Sequence, residues 1–142
     1  MDSKLQIISG EYRGRKLKLS ADARSTQNRT RIAVFNMLCG ILEDTDNLHV
    51  WDAFAGTGAF GLECLSRYHN ANVVFSDLSA TSVSVVRENL RSLAVGNRAR
   101  VMQKDAISLI QSLAPDMDLV FFDPPYADFG LGRLFVKKFM SV

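Results

Sequence analysis

The sequence predicts an α/β fold in which helices cover both faces of a parallel sheet. Short apolar runs of strand length alternate with segments whose apolar residues recur about every three or four positions, the spacing of one helix face. The length of 142 residues suits one domain, and 47% hydrophobic against 23% charged residues supply a packed core. This balance excludes a disordered or collagen-like chain.

Residues 1–25 are predicted to form a small basic hairpin or meander. Residues 6–9 have an extended pattern, Gly10 and Gly14 offer turn positions, and residues 16–19 alternate polar with apolar side chains. Residues 1–31 hold eight Lys and Arg against three Asp and Glu, a charge of +5, which leaves −3 for the rest. Positive charge is therefore concentrated at the front of the chain.

Residues 26–142 are predicted to form the main domain. Thr26 is a candidate N-cap of a first helix, whose expected apolar face comprises Ile32, Phe35, Leu38, Cys39 and Leu42. Strands are then expected at 48–51, 73–75, 99–103 and 119–122, and helices at 59–68, 106–113 and 131–140, with one more helix capped by Ser79. Its apolar positions are Val83, Val86, Leu90 and Leu93. Ligands of such parallel sheets bind at the carboxyl ends of the strands.

A glycine-rich turn follows the first of these strands. After Asp52, the glycines Gly56, Gly58 and Gly61 form a G-x-G-x-x-G pattern, which allows a tight turn and a close approach of backbone to ligand. A carboxylate at this position repels a dinucleotide pyrophosphate but attracts a ligand that carries an ammonium and a sulfonium. S-adenosylmethionine fits that description, whereas the alternative is a glycine-rich turn needed only for packing.

Two further acidic residues follow the next two strands. Asp77 is placed to accept both ribose hydroxyls of an adenosine ligand, and Asp105 to accept a hydrogen bond from an adenine amino group. Each could equally be a helix N-cap.

The most specific motif is Asp123-Pro124-Pro125-Tyr126, directly after the fourth strand. The lone pair of an amino group on a base is delocalised into the ring, so the nitrogen is a poor nucleophile until acceptors hold its hydrogens. Asp123 and a backbone carbonyl of the rigid Pro-Pro step can each take one amino hydrogen, while Tyr126 stacks on the base. The alternative is a proline-capped strand end with a surface tyrosine.

The basic front suits a nucleic-acid partner. Cationic side chains neutralise phosphates and a neighbouring aromatic ring stacks on an unpaired base, and the candidates are Tyr12, Arg13, Arg15, Lys16 and Lys18. The alternative is a solvated basic hairpin without that role.

With these motifs, the chain resembles the bacterial guanine-N2 methyltransferases of small-subunit ribosomal RNA. The match covers residues 7–17, residues 26–38 with Arg31 and Phe35-Asn36, the turn at 52–58 and the motif at 123–126. The first two segments are specific to this family, while the last two are shared with other amino-directed methyltransferases. Ser9, Ser25, Trp51 and Asp77 depart from the family's usual residues.

The resemblance implies a Rossmann-like, S-adenosylmethionine-dependent fold acting on a guanine of 16S ribosomal RNA, within a small ribosomal subunit or its assembly intermediate. It implies that Asp52, Phe54 and the three glycines hold the methionine end of the cofactor, Asp77 the ribose, Asp105 the adenine, and residues 123–126 the target base. It also implies a sheet ordered 3-2-1-4 that is truncated before the family's later strands, with an apolar edge at 119–122.

Three other functions stay open on the sequence. The first is an adenine-N6 DNA methyltransferase, because the Asp-Pro-Pro-Tyr motif binds an amino group and not one particular base. The second is a catalytically inactive RNA-binding remnant. The third is a nicotinamide-dependent oxidoreductase, which Asp52 disfavours.

Membrane, metal and disulfide roles are not expected. The longest stretch without Asp, Glu, Lys or Arg is the eleven residues 32–42, against the roughly 20 of a membrane-spanning helix. Residues 1–6 lack a signal-peptide core, so a cytoplasmic location is expected. Cys39 and Cys64 lack metal-ligand spacing and are expected to be reduced thiols.

Overall fold

A computed structural model describes residues 5–19, 28–123 and 129–141. Its sheet has four parallel strands in the order β3-β2-β1-β4, as the resemblance implies. The strands are β1 His49–Asp52, β2 Asn72–Ser76, β3 Ala99–Met102 and β4 Leu119–Phe121. The helices are α1 Asn28–Ile41, α2 Ala59–Arg67, α3 Ala80–Leu93, α4 Ala106–Leu113 and α5 Phe129–Met140, with short 3-10 turns at Gly96–Arg98 and Ala114–Asp116.

Helices cover both faces of the sheet, as predicted. Val50 and Phe75 point to the face packed by α1, α2 and α3, while Trp51 and Val74 point to the face packed by α4 and α5. Alternate residues of a strand face opposite sides, so a doubly covered sheet needs apolar side chains at successive positions. The continuous apolar runs of β1 and β2 meet this requirement.

The expected apolar face of α1 is partly wrong. Ile32 is 40% exposed and Cys39 is exposed, whereas Phe35 and the charged Arg31 are completely buried. Leu38 and Leu42 do pack against the core, so the buried stripe runs through Arg31 and not Ile32. A guanidinium can occupy that position because Glu63 of α2, also fully buried, pairs with it at 2.9 Å. The proposed cap Thr26 lies outside the described residues.

Residues 5–19 form a hairpin, one of the two predicted forms, although its pairing is limited. Gln6 and Lys16 form an isolated antiparallel bridge, and Leu17 N donates to Leu5 O at 2.9 Å. The side chains of Leu5, Ile7 and Leu17 are buried in the same core as α2 and α3. The hairpin is therefore part of the packed domain.

The hairpin lies directly against α2. Gly10 has φ +92°, and a Cβ added there would lie 2.1 Å from the carbonyl oxygen of Ser66, so only glycine fits the contact. The Ser66 hydroxyl donates to Ser9 O at 2.6 Å and accepts from Tyr12 N at 2.9 Å. Glu63 accepts from the backbone N–H groups of both Ile8 and Ser9. Helix α2 therefore satisfies the backbone of the turn.

Strand β4 is less buried than the sequence suggests. Phe121 is buried, but Leu119 and Val120 are only half-buried and Phe122 is 41% exposed. Within the described residues β4 pairs with β1 alone, which leaves its outer side as a sheet edge. Cys39 and Cys64 are free thiols. No helix among residues 5–19, 28–123 and 129–141 is long and apolar enough to cross a membrane.

Candidate ligand site at the carboxyl ends of the strands

Four acidic residues mark the carboxyl ends of the four strands. Asp52 ends β1, Asp77 directly follows β2, and Asp105 and Asp123 follow β3 and β4. Because the strands are parallel and adjacent in the order 3-2-1-4, these positions all lie at the carboxyl end of the sheet. Asp52 lies on a central strand, between those of Asp77 and Asp123.

Asp52 is the most perturbed group at this end of the sheet. It is 3% exposed, and its Oδ2 accepts from Gly61 N at 3.0 Å, in the first turn of α2. Burial raises the pKa of Asp52 to about 7, with the charges of Asp77 and Asp123 adding to the rise and the Gly61 hydrogen bond opposing it. The negative potential at this carboxylate favours a positively charged partner.

The glycine turn wraps over Asp52. Gly56 and Gly58 both have positive φ, +57° and +85°, which glycine adopts without strain. At Gly61 a Cβ would lie 2.3 Å from the ring of Phe75, so this glycine is required by packing against β2. Gly58 N donates to Ala55 O at 2.7 Å, which closes the turn before α2 begins. The predicted turn is confirmed. Gly56 and Gly58 allow its backbone conformation, and Gly61 is required by packing in the core.

Asp77 and Asp105 both bond to the backbone. Asp77 accepts from Gly56 N through Oδ2 and from Ser79 N through Oδ1, each at 2.9 Å, so it ties β2 to the glycine turn. Each carboxylate oxygen has two acceptor positions, which leaves capacity for ligand hydroxyls. Asp105 caps α4 by accepting from Ile107 N at 3.2 Å. The N-cap alternative thus holds for Asp105, and the predicted cap Ser79 accepts from Ser82 N.

The other residues predicted to bind ligand at this end of the sheet are Phe54, Asp123, Pro124, Pro125 and Tyr126. Phe54 is half-buried and its ring lies 5.6 Å from that of Phe135, so it packs towards α5. Asp123 is exposed. Pro124, Pro125 and Tyr126 lie outside the described residues. The ligand roles of these residues stay predictions, as do those of Asp52, Asp77, Asp105 and the glycines.

The acidic carboxyl end of the sheet fits the cationic part of S-adenosylmethionine. A buried carboxylate whose ionisation is opposed by two neighbouring carboxylates gains from a sulfonium or ammonium nearby, because the cation offsets their repulsion. An anionic pyrophosphate would meet the opposite potential. Among residues 5–19, 28–123 and 129–141, no group of three or more His, Cys, Asp or Glu side chains is arranged to hold a metal ion.

The basic front divides into free and tethered cations. Arg13 and Lys16 are exposed on the hairpin. Arg15 donates to Ser92 O of α3 at 2.8 Å, and Lys18 pairs with Glu88 of the same helix at 2.6 Å. Tyr12 is half-buried and packs against the core. Two of the five predicted RNA-binding residues therefore also hold the hairpin to α3.

Sequence reasoning missed two buried polar residues behind this site. Glu63 accepts from Arg31, Arg67 and two hairpin amides, and Asn89 of α3 bonds to both Lys18 and Thr57. A detectable signal existed for Asn89 alone, since it interrupts the apolar stripe of its helix. Asn89 stands between Val86 and Leu93 in the spacing of one face.

Fold and site together define a Rossmann-like α/β domain of the kind found in methyltransferase structures. Residues 5–138 match the model of one protein family, and the chain belongs to that family, Conserved hypothetical protein 95.

The relatives carry more specific names. The chain is 39% identical over 124 residues to ribosomal RNA small subunit methyltransferase D of Escherichia coli, covering 86% of this chain and 60% of that protein. The protein of the same name from Haemophilus influenzae is 33% identical, with 86% and 64% covered. The chain thus spans less than two thirds of the length of these relatives.

A solved structure described as a methyltransferase, yhhF of Escherichia coli, superposes with a TM-score of 0.76 at 31% identity, covering 95% of this chain and 71% of that one. A Thermus structure, TTHA0928, gives a TM-score of 0.76 at 28% identity, with 94% and 77% covered. The chain therefore shares its overall fold with these two structures.

Proposed function

We propose that this chain takes part in the S-adenosylmethionine-dependent methylation of ribosomal RNA, at the exocyclic N2 amino group of a guanine in 16S ribosomal RNA. The observation that carries the proposal is the buried Asp52, which lies under the glycine turn between the strands of Asp77 and Asp123. The names of the relatives support the reaction and the RNA, and the resemblance described above supplies the guanine.

The residues divide the work between two ligands. S-adenosylmethionine, when bound, supplies an electrophilic methyl group. Asp52 faces its cationic methionine end and Asp77 its ribose hydroxyls, while Asp105, already an N-cap, lies at the strand end expected to face the adenine.

On the other side, Asp123 and the Pro124-Pro125 step hold the amino hydrogens of the base, and Tyr126 stacks on it. The guanine must leave its stack to reach them. Positioning then supplies most of the rate acceleration.

The hairpin is proposed to bind the phosphates of the same RNA, in a small ribosomal subunit or its assembly intermediate. The exposed Arg13 and Lys16 are the side chains best placed for this, because α3 does not hold them as it holds Arg15 and Lys18. A cytoplasmic location follows from this substrate, since ribosomal subunits are assembled there in bacteria.

Asp123→Ala tests the base-binding role. We expect methyl transfer to unmethylated small ribosomal subunits to fall about a hundredfold or more, while S-adenosylhomocysteine binds nearly as in the wild type. Calorimetry measures the binding, and mass spectrometry of nucleosides identifies the product. Asp116→Ala, an exposed acid before β4, is the matched control.

Each alternative gives a different result. Unchanged turnover in Asp123→Ala would remove this carboxylate from the mechanism. Methylation of adenine in duplex DNA would favour the DNA methyltransferase. Binding of ribosomal RNA without binding of S-adenosylhomocysteine would favour the inactive remnant, and binding of a nicotinamide cofactor would favour the oxidoreductase.

A further inference from the structure

One amide side chain connects the front hairpin to the glycine turn. Asn89 lies on α3 and is 4% exposed. Its Oδ1 accepts from Lys18 N at 2.8 Å, and its Nδ2 donates to Lys18 O at 3.2 Å and to Thr57 O at 3.1 Å. Lys18 directly follows Leu17, the last paired residue of the hairpin, and Thr57 lies between two glycines of the turn. The two segments therefore share one hydrogen-bonding group.

The geometry fixes a particular peptide plane of the turn. Thr57 O accepts from Asn89, and the N–H of the same peptide unit, that of Gly58, donates to Ala55 O. Both ends of this unit are thus held, and Gly58 then enters α2 with φ +85°. A buried carbonyl that loses its donor is costly, so a shift of Asn89 must also move this peptide.

Other contacts between hairpin and α3 do not have this property. The Lys18–Glu88 ion pair joins side chains that are 58% and 43% exposed, and such surface pairs contribute little to the free energy of unfolding. The Arg15 guanidinium bonds to Ser92 on the surface. Among the described residues, neither of these two interactions reaches residues 55–58. Asn89, in contrast, is buried, forms two hydrogen bonds with the Lys18 backbone and donates directly to the glycine turn.

We propose that Asn89 is a positioning residue that couples RNA bound at the hairpin to cofactor bound at the glycine turn. The inference rests on the proposed function, because it assigns the two ligands to the two segments that Asn89 joins. RNA bound at the hairpin further restrains the Lys18 backbone, Asn89 transmits this restraint to the Thr57–Gly58 peptide, and the turn then loses less conformational freedom when the cofactor binds. Such coupling is reciprocal, so cofactor binding strengthens RNA binding by the same factor.

Asn89→Asp is the sharpest variant, because the side chain keeps its shape. A carboxylate still accepts from Lys18 N, but it presents an acceptor where Nδ2 donated to Thr57 O and to Lys18 O. The matched control is Glu88→Gln, which weakens the neighbouring Lys18 contact and leaves the turn untouched. Asn89→Ala serves as the second variant if the buried carboxylate prevents folding.

The experiment measures S-adenosylhomocysteine affinity by calorimetry, with and without a saturating 16S ribosomal RNA transcript. For the wild type and Glu88→Gln we expect the transcript to tighten binding about fivefold, within the usual range of coupling factors. For Asn89→Asp we expect binding without RNA to weaken about tenfold, and the ratio between the two conditions to fall to about 1. Amide hydrogen exchange of Gly58 and Lys18 is recorded on the same unliganded proteins.

The outcomes separate this inference from the proposed function. A wild-type ratio of 1, or an Asn89→Asp protein that keeps both its affinity and the fivefold ratio, would overturn the coupling. If the folded wild type binds no S-adenosylhomocysteine, the proposed function fails instead. Hydrogen exchange then still decides the role of Asn89, since unchanged Gly58 protection in Asn89→Asp or Asn89→Ala would refute it.

Discussion

At the scale of single residues, the carboxyl end of the sheet contains a carboxylate whose burial costs free energy. Asp52 is buried, and burial together with Asp77 and Asp123 raises its pKa to about 7. The Gly61 amide at the start of α2 offsets only part of this cost. A group held in an unfavourable charge state stores free energy that a cationic ligand can release.

The first prediction concerns the pH dependence of ligand binding through Asp52. An ammonium is attracted to the ionised carboxylate, so affinity rises as pH increases through about 7. We expect S-adenosylhomocysteine to bind about tenfold more weakly at pH 6 than at pH 8. Asp52→Asn should bind weakly at both values. Calorimetry at the two pH values measures this, with Asp118→Asn, an acid at the other end of the sheet, as control.

The same shift sets the sign of a stability effect. The folded pKa lies above the ordinary value of 3.8, so the folded state holds the Asp52 proton more tightly than the unfolded one. The second prediction is that, from this group alone, the free energy of unfolding falls by about 4 kcal/mol between about pH 3 and pH 8. Asp52→Asn should remove that slope in urea unfolding; an equal slope in the variant would show that Asp52 titrates normally.

At the scale of elements, hairpin, α1 and α2 meet at one buried ion pair. Arg31 donates to Glu63 at 2.9 Å and to Gln6 O at 2.7 Å, and it also bonds to Asn28. Glu63 in turn accepts from Arg67 at 2.7 Å and from the hairpin amides. Removing Arg31 therefore takes away the fully buried cation of Glu63 and leaves the partly exposed Arg67 as its remaining cation.

The third prediction is that Arg31→Met lowers the free energy of unfolding by about 2–3 kcal/mol, because Glu63 loses its fully buried cation and keeps only Arg67. Urea unfolding measures the loss, and hydrogen exchange should show weaker protection of the Ile8 and Ser9 amides. Arg29→Met, an exposed neighbour on α1, is the control and should change stability little. A loss in Arg31→Met no larger than that of Arg29→Met would contradict the role of the pair.

At the scale of the whole molecule, charge is divided between two regions. Residues 1–31 carry +5 and the remainder −3, and the structure brings the acidic strand ends together at the carboxyl end of the sheet. Long-range fields of this kind govern how charged partners approach. An RNA is therefore expected to meet the protein through its hairpin, and a cationic cofactor through the carboxyl end of the sheet.

The fourth prediction concerns the salt dependence of RNA binding. Reversing the two exposed cations, Arg13→Glu with Lys16→Glu, should weaken binding of a 16S ribosomal RNA transcript and reduce the slope of log K against log salt by roughly 1.5. The double variant Arg100→Glu with Lys104→Glu makes the same change in net charge away from the hairpin. Equal slopes for the two double variants would rule out the hairpin as the RNA contact.

Much of the fold was readable from local patterns. The helix over residues 106–113 begins and ends as predicted, and Ser79 caps α3. The errors occur where tertiary contacts override a local pattern. Ile32 was expected inside because it is apolar, yet Arg31 takes that place because Glu63 neutralises it from another helix.

By itself, the sequence determined the alternation of strands and helices, the glycine turn after β1 and the acids at the strand ends, because apolar periodicity and glycine conformations are local properties. Only the tertiary structure decided which charges are buried and that Asn89 joins the hairpin to the turn. These features depend on groups 25 or more residues apart or on their burial, as with the 71-residue separation of Lys18 and Asn89. A local pattern does not contain the desolvation and pairing that such distant groups acquire only when the chain folds.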